Sequence, residues 1–535
     1  MTKFADSLEE YQSVCEKQFQ RIAALEVENQ WFREQIALAQ HQRFGKSSQK
    51  TTPEQQELVF NEAELESIPV VEPTVETITY KRSKTKGHRE LQIKNLRIES
   101  EYVILPKDEQ ICPCCGGELH EMKVEVHQKL CFIPAEAYIQ ERRQQIYVCR
   151  NCDKNEISTP IVSAPMPAQA FPKSLASASS VAYIMSQKFV EGLPLYRQEQ
   201  SMARLGINIL RQTTANWMIK GANDWLVHIY QRMKVHLLQR DILNADETTL
   251  QVLKEPDRKA ESKSYMWLYR SGREGPPIVL FDYQKTRSAE HPKAFLGGFR
   301  GYLLTDAYAG YDSLVKSPAG TPPTIRLLNC WAHARSNFAD ALIALNASAK
   351  SNYAVSYPTQ ANQGLDFCNK LFAIERELHD VTPAERFAGR LKKSKPVLNA
   401  FNLWLKEQAE KALPKSAFGQ AVNYCLNHWT KLNVFLEDGR LEIDNNRSER
   451  SIKPFVIGRK NWLFANTPSG ATSSAIIYSM VETAKENGLD PRKYLQYLFE
   501  KMPQIKLKDE KALDELLPWS ETTKLECKIP EKRTA

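Results

Sequence analysis

One short block of strand-forming sequence lies between two long helical stretches, and this contrast limits the folds open to the chain. Within residues 242–330 the apolar runs Tyr265–Tyr269, Pro277–Phe281 and Gly301–Thr305 are about five residues long. Turn formers such as Ser271-Gly-Arg-Glu-Gly-Pro276 separate them. Short apolar runs bounded by turns read as strands of a sheet. Residues 168–240 read as helix with one sharp turn near Gly206, and residues 333–437 as helix with few breakers. The expected class is multidomain α/β plus α, and 535 residues give room for several domains.

The strand block carries two acids in unusual places. Asp246 lies in Ile242-Leu-Asn-Ala-Asp-Glu-Thr-Thr-Leu, with apolar residues on both sides. Asp306 ends the apolar run Gly301-Tyr-Leu-Leu-Thr. A carboxylate beside a core strand is costly without a partner. Two such acids on neighbouring strands can bridge a pair of divalent ions for in-line phosphoryl displacement, and an oxygen-only ligand set favours magnesium or manganese. A strand-end cap is the plain alternative for either acid. A third acid is expected from a helix. Glu449 sits among Arg447, Arg450 and Lys453, with Arg459 and Lys460 soon after. That arrangement makes sense if the carboxylate serves metal while the cations hold DNA phosphates. Asn445 is placed to cap the helix. Glu442 is the rival third acid. His333, in Cys330-Trp-Ala-His333, is an auxiliary candidate that would orient DNA or a catalytic carboxylate; half of a metal site is the other reading of the pair.

Other segments point to metal and nucleic acid. Cys112/Cys115 and Cys149/Cys152 form two C-x-x-C pairs 33 residues apart, and Gly116-Gly117 follows the first. Four thiolates on two knuckles suit a closed, structural zinc site, with iron as a minor alternative. In the first forty residues Leu8, Cys15, Ile22, Asn29 and Ile36 recur every seven positions, as do Tyr11, Gln18, Leu25, Phe32 and Ala39. This is an a/d seam, and Asn29 at an a position fixes register in a parallel dimer. An amphipathic helix packed on its own domain is the alternative. Residues 51–80 hold seven glutamates and no Lys or Arg, and a basic stretch follows; together they read as a linker. The helix after Pro194, the turn at Gly206 and the helix from Leu210 make a helix-turn-helix candidate. Arg211, Gln212, Thr214 and Asn216 would face base edges, although an ordinary bundle corner has the same pattern. The net charge of +8 permits a polyanionic partner without demanding one. No signal peptide, membrane-length apolar run or P-loop is present in the sequence.

Several of these motifs together resemble the transposases of the insertion sequence sixty-six family of bacterial mobile elements. The resemblance rests on Arg43-Phe-Gly-Lys-Ser-Ser-Gln-Lys50, the cysteine pairs, Leu193-Pro-Leu-Tyr-Arg-Gln198, Asp246-Glu-Thr, Thr305-Asp-Ala-Tyr-Ala-Gly-Tyr311 and Cys330-Trp-Ala-His333. Its most specific parts are Glu442-Ile-Asp-Asn-Asn-Arg-Ser-Glu-Arg-Ser-Ile-Lys-Pro454 and Gly458-Arg-Lys-Asn-Trp-Leu-Phe464. It implies an RNase H-like catalytic domain interrupted by a large helical insertion. Asp246, Asp306 and Glu449 would form the DDE triad, holding two magnesium or manganese ions. The 143 positions from Asp306 to Glu449 leave room for that insertion. The middle of the third-acid motif, Asn-Asn-Arg-Ser-Glu-Arg, departs slightly from the small residues of the family pattern.

The implied layout is a coiled coil over 1–45, a charged linker over 46–100, a zinc-binding domain over 101–160 and a helical DNA-binding domain over 165–240. The catalytic core follows over 241–335, a helical insertion over 336–437, the second part of the core over 438–500 and a tail over 501–535. The implied activity is 3′-end cleavage and strand transfer on double-stranded DNA, with element terminal repeats and target DNA as partners. The implied protein is a bacterial cytoplasmic homo-oligomer, at least a dimer, with small accessory proteins of the same element as further partners and no membrane. Two other classes remain at this point: a DNA-binding regulator without catalysis, and a nuclease that cuts without joining.

Overall fold

The structure is a computed structural model that describes residues 18, 21, 25, 32, 36, 137–148, 161–163, 165–315, 324–348 and 360–529. The four cysteines of the two pairs and nearly all of the expected linker lie outside the described residues. In the expected zipper, Leu25, Phe32 and Ile36 are helical and exposed. A small unit within residues 57–167 contains the antiparallel pair β1 (Ile146–Val148) and β2 (Ile161–Ser163), with Ile146 opposite Ser163.

In the second unit, residues 168–529, the helices come first: α1 (Ala178–Phe189), α2 (Leu195–Arg204), α3 (Arg211–Gly221) and α4 (Val227–Leu238). The expected turn after α2 is present. Gly206 has φ +78°, the Gly206 and Ile207 amides donate to Ala203 and Met202 carbonyls, and the helix closes in a Schellman motif. A second turn at Gly192, φ +68°, was not expected.

The strand block forms a five-stranded sheet of β3 (Ile242–Gln251), β4 (Lys263–Ser271), β5 (Val279–Gln284), β6 (Gly301–Thr305) and β7 (Ile325–Asn329), ordered β5-β4-β3-β6-β7. The pairs β3–β4 and β4–β5 are antiparallel; β3–β6 and β6–β7 are parallel. Helix α5 (Glu290–Phe295) lies between β5 and β6, and Phe295 stacks on Tyr269 of β4 with ring centroids 3.8 Å apart.

After β7 come α6 (Trp331–Ser348), α7 (Gln360–Glu377), α8 (Pro383–Lys411) and α9 (Ala417–Asn427), as the helical reading of 333–437 requires. They enclose a second hydrophobic core around Trp331, Phe338, Phe401 and Phe435, continuous with Leu304 and Leu328 of the sheet. Arg390 is wholly buried there. It donates to the Glu375 carboxylate and to the carbonyls of Phe435, Asp438 and Leu441, so one guanidinium shapes the loop that leads to the third-acid helix.

Helices α10 (Asn446–Trp462), α11 (Pro468–Glu486) and α12 (Pro491–Lys501) complete the fold. Helix α11 covers the edge strand β5. The Val279 amide donates to Thr483 Oγ1, that hydroxyl donates back to the Val279 carbonyl, and the Phe281 amide donates to Ser479 Oγ. Helix hydroxyls thus replace the missing strand partner and remove a sticky edge. Residues 502–529, expected as a tail, instead pack home: Leu513, Leu516 and Leu517 are buried, and Asp514 pairs with Arg232 of α4 at 2.7 Å.

Arg270 of β4 is also buried. It makes two hydrogen bonds to Glu486, at 2.9 and 3.0 Å, and donates to Ser451 and to the Arg447 carbonyl. The sheet, α10 and α11 meet at this one cation. Glu486→Ala leaves it without its counter-charge and is expected to cost about 3–5 kcal/mol in urea unfolding; a loss under 1 kcal/mol would show that water reaches Arg270.

Candidate active site

Sheet register brings the two aspartates together. Asn244 of β3 pairs with Leu304 of β6 in parallel, so Asp246 and Asp306, each two residues further on, reach the same level and the same face. Asp246 Oδ1 accepts from the Glu247 amide at 2.8 Å, and Asp306 Oδ1 accepts from the Tyr308 amide at 3.1 Å. Between them Ala307 has φ +72°, a conformation that costs a non-glycine residue free energy and marks a tightly specified turn.

Asn445 holds the third-acid helix against this pair. The sequence reading made it a side-chain cap, but its side chain makes no cap bond. Its Nδ2 instead donates to the carbonyl of Ala245, the residue before Asp246, at 3.0 Å, and its Oδ1 accepts from Asn244 at 3.2 Å. Its amide donates to Cys330 Sγ at 3.1 Å, at the end of β7. Asp444 Oδ1 accepts the Asn446 amide at the start of the helix. Glu449 lies one turn into α10 and is exposed.

The electrostatics record the convergence. Asp246 is pushed well above the usual carboxylate range, first by burial and then by the negative charges of Asp306, Glu247 and Glu449. A cation between the acids removes that repulsion. Among the described residues, Cys330, His333 and Glu449 are the group of three potential ligands whose atoms all lie within 4.8 Å of one another. Burial pushes the Cys330 thiol up to about 12. His333 Nδ1 is buried without a hydrogen-bond partner among the described residues.

The rival acid is otherwise engaged. Glu442 accepts from Arg273 at 2.8 Å and from Arg447 at 3.2 Å. Its pKa is lowered: the two guanidiniums outweigh its burial. Arg447, expected on DNA, is therefore half of an internal ion pair. Arg450, Lys453 and Lys460 are exposed on α10. Arg459 is half-buried, with Nη1 on the hydroxyls of Thr248 and Thr249 at 3.3 and 3.2 Å. In α3, Arg211, Gln212 and Asn216 are exposed, but Thr214 is buried and its Oγ1 donates to the Arg211 carbonyl, so it faces inward.

Sequence reasoning missed a second layer. Glu247, next to Asp246, has a side chain only 1% exposed. It accepts from Arg287 Nε and Tyr311 Oη, both at 2.8 Å. Arg287 lies over the Tyr308 ring at 3.8 Å and is 3.8 Å from Asp306 Oδ2. The Asp246-Glu-Thr and Tyr308/Tyr311 spacings contain these residues, but nothing in them points to Arg287, which a different loop supplies.

Comparison with known proteins gives the family. Residues 173–473, which hold the whole sheet and all three acids, match the model of the Transposase IS66 family. Residues 479–519 match the IS66 C-terminal element and residues 109–153 the zinc-finger binding domain of transposase IS66. Residues 31–99 match an element described as Transposase C of IS166 homeodomain. Two relatives from Sinorhizobium fredii are alike over most of their length. Uncharacterized protein y4jD is 31% identical over 425 residues, covering 78% of this chain and 79% of that protein. Uncharacterized protein y4qI is 32% identical over 419 residues, covering 76% and 73%. With its central half, its cysteine segment and both flanking elements matched, the chain belongs to the Transposase IS66 family.

Proposed function

We propose that the chain is a DNA transposase that cleaves 3′ ends and transfers strands at a site formed by Asp246, Asp306 and Glu449. The observation that carries this reading is geometric: the pairing of Asn244 with Leu304 sets Asp246 level with Asp306, and Asn445, at the start of the helix that carries Glu449, donates to the Ala245 carbonyl on the same strand. The strand order, with three antiparallel strands followed by two parallel ones, supports an RNase H-like core, and α6 to α9 support an insertion between the second and third acids.

Two magnesium or manganese ions bound by the three carboxylates would supply the Lewis acid that activates the attacking hydroxyl and stabilises the leaving oxygen. The chain does the rest of the work. Asn445 sets the distance of Glu449 from Asp246. His333 orients the Glu449 carboxylate. Arg287 pairs with Glu247 and lies 3.8 Å from Asp306 Oδ2, offsetting part of the negative charge beside Asp246. Arg450, Lys453 and Lys460 hold the DNA backbone along α10. Arg211, Gln212 and Asn216 face DNA from α3, and the helix with Leu25, Phe32 and Ile36 joins copies of the chain. Cys112, Cys115, Cys149 and Cys152 hold a structural zinc.

On supercoiled DNA carrying the element's terminal repeats, with magnesium, the wild type is expected to give joined products. Asp246→Asn, Asp306→Asn and Glu449→Gln are each expected to lose roughly 10³-fold or more in rate while still retarding the duplex. Nicks without joining would make the chain a nuclease, and retardation alone a regulator. Full activity in Glu449→Gln would move the third acid elsewhere.

Asp246 binds its proton more tightly in the fold than in the unfolded chain. The fold therefore loses stability as pH rises from the ordinary carboxylate range to the raised value. At neutral pH Asp246→Asn is expected to raise the metal-free Tm by on the order of 2 °C. Magnesium should raise the wild-type Tm and leave the variant's unchanged; equal response of both would separate the metal from this acid. Zinc content is expected at about one ion per chain by atomic absorption, falling sharply in Cys149→Ser.

A further inference from the structure

At the end of α10 the backbone makes a strained turn that points two apolar side chains into solvent. Leu463 has φ +64° and ψ −49°, and the Phe464 amide donates to the Trp462 carbonyl at 2.8 Å. This is a γ-turn of the rare, strained hand, centred on a leucine. It is held from both sides. Trp462 packs on Phe455 in the core, with ring centroids 5.7 Å apart. Beyond the turn, the Ala465 amide donates to the Gln251 carbonyl, while the Leu253 and Lys254 amides donate to Ala465 and Asn466 carbonyls. The clamped turn leaves Leu463 65% and Phe464 42% exposed.

An open surface pocket of about 370 Å³ lies beside Leu463. Thr249, Gln251, Ser262, Lys263, Arg459 and Glu261 bring polar groups to it, and Leu250 and Leu463 give it apolar walls. Three exposed lysines lie nearby: Lys263 in the pocket lining, Lys254 through its amide bond to Asn466, and Lys460 in the last turn of α10. Apolar knuckle, a pocket of mixed lining and nearby cations are the three parts needed to unstack a base, receive it and hold the phosphates beside it. The position fits as well. Gln251 is five residues beyond Asp246 on β3, roughly 17 Å along an extended strand, or roughly five base pairs of duplex.

We propose that Leu463 and Phe464 form a wedge that enters the DNA stack, and that the pocket beside Leu463 receives the displaced nucleotide. The proposal rests on the reading of the chain as acting on duplex DNA near the three acids. Strain in the turn then has a purpose: it aims the wedge outward, where a relaxed helix end would lay it against the protein.

The test uses the full chain and a terminal-repeat duplex carrying 2-aminopurine at each position in turn around the cleaved phosphate. Wild type and Asp246→Asn should both give a severalfold rise in emission at one position. Phe464→Ala and Leu463→Gly should lose it. The glycine variant accepts the positive φ without strain, so it should keep the fold and raise the Tm while losing the wedge. Emission in Leu463→Gly equal to wild type overturns the proposal, as does retardation and cleavage of the duplex with no position brightening. A chain that does not retard the duplex at all overturns the transposase reading together with the wedge.

Discussion

The candidate site depends on one buried asparagine. Asn445 joins β3, through the Ala245 carbonyl and Asn244, to the end of β7, through Cys330 Sγ. It does so at the first turn of the helix that carries Glu449. In the apolar interior each of these bonds is worth more than it would be in water, and leaving any of its groups unpaired would be expensive. The second aspartate needs no such device, because the register of β3 on β6 delivers it. Only the third acid arrives after a long excursion of the chain, and Asn445 closes that excursion.

Around this tie the fold accepts electrostatic cost in a graded way. Arg270 and Arg390 are buried with carboxylates and carbonyls on nearly every donor, and both organise the approach to α10. Glu247 is buried but answered by Arg287 and Tyr311. Asp246 is raised first by burial and then by three negative neighbours.

Much of the architecture was legible because it follows from local chemistry. The strand runs, the glycine stop after α2 and the breaker-poor stretch after His333 declare themselves through periodicity and turn residues, and the structure has each of them. Asp246 and Asp306 stood out as acids flanked by apolar sequence. The misreadings concern where side chains point. Thr214 sits among exposed neighbours in sequence but faces inward. Arg447 looks like a DNA contact and serves Glu442. Asn445 looks like a cap and serves β3. Their partners lie 3, 5 and 201 residues away, and residue type alone does not announce which way the side chain turns.

By itself, the sequence determined the class of the fold, the two strand acids and the family motifs, because apolar period and residue type act over a few neighbours. Only the tertiary structure decided that Asp246 and Asp306 are level, that Glu449 and not Glu442 is the acid left unpaired by arginine, and that Arg287 completes the surroundings. It alone put Leu463 in a strained turn beside a pocket. Register, long-range hydrogen bonds and the exposure of a side chain arise only when distant segments pack, and that packing is where the chemistry of the site is set.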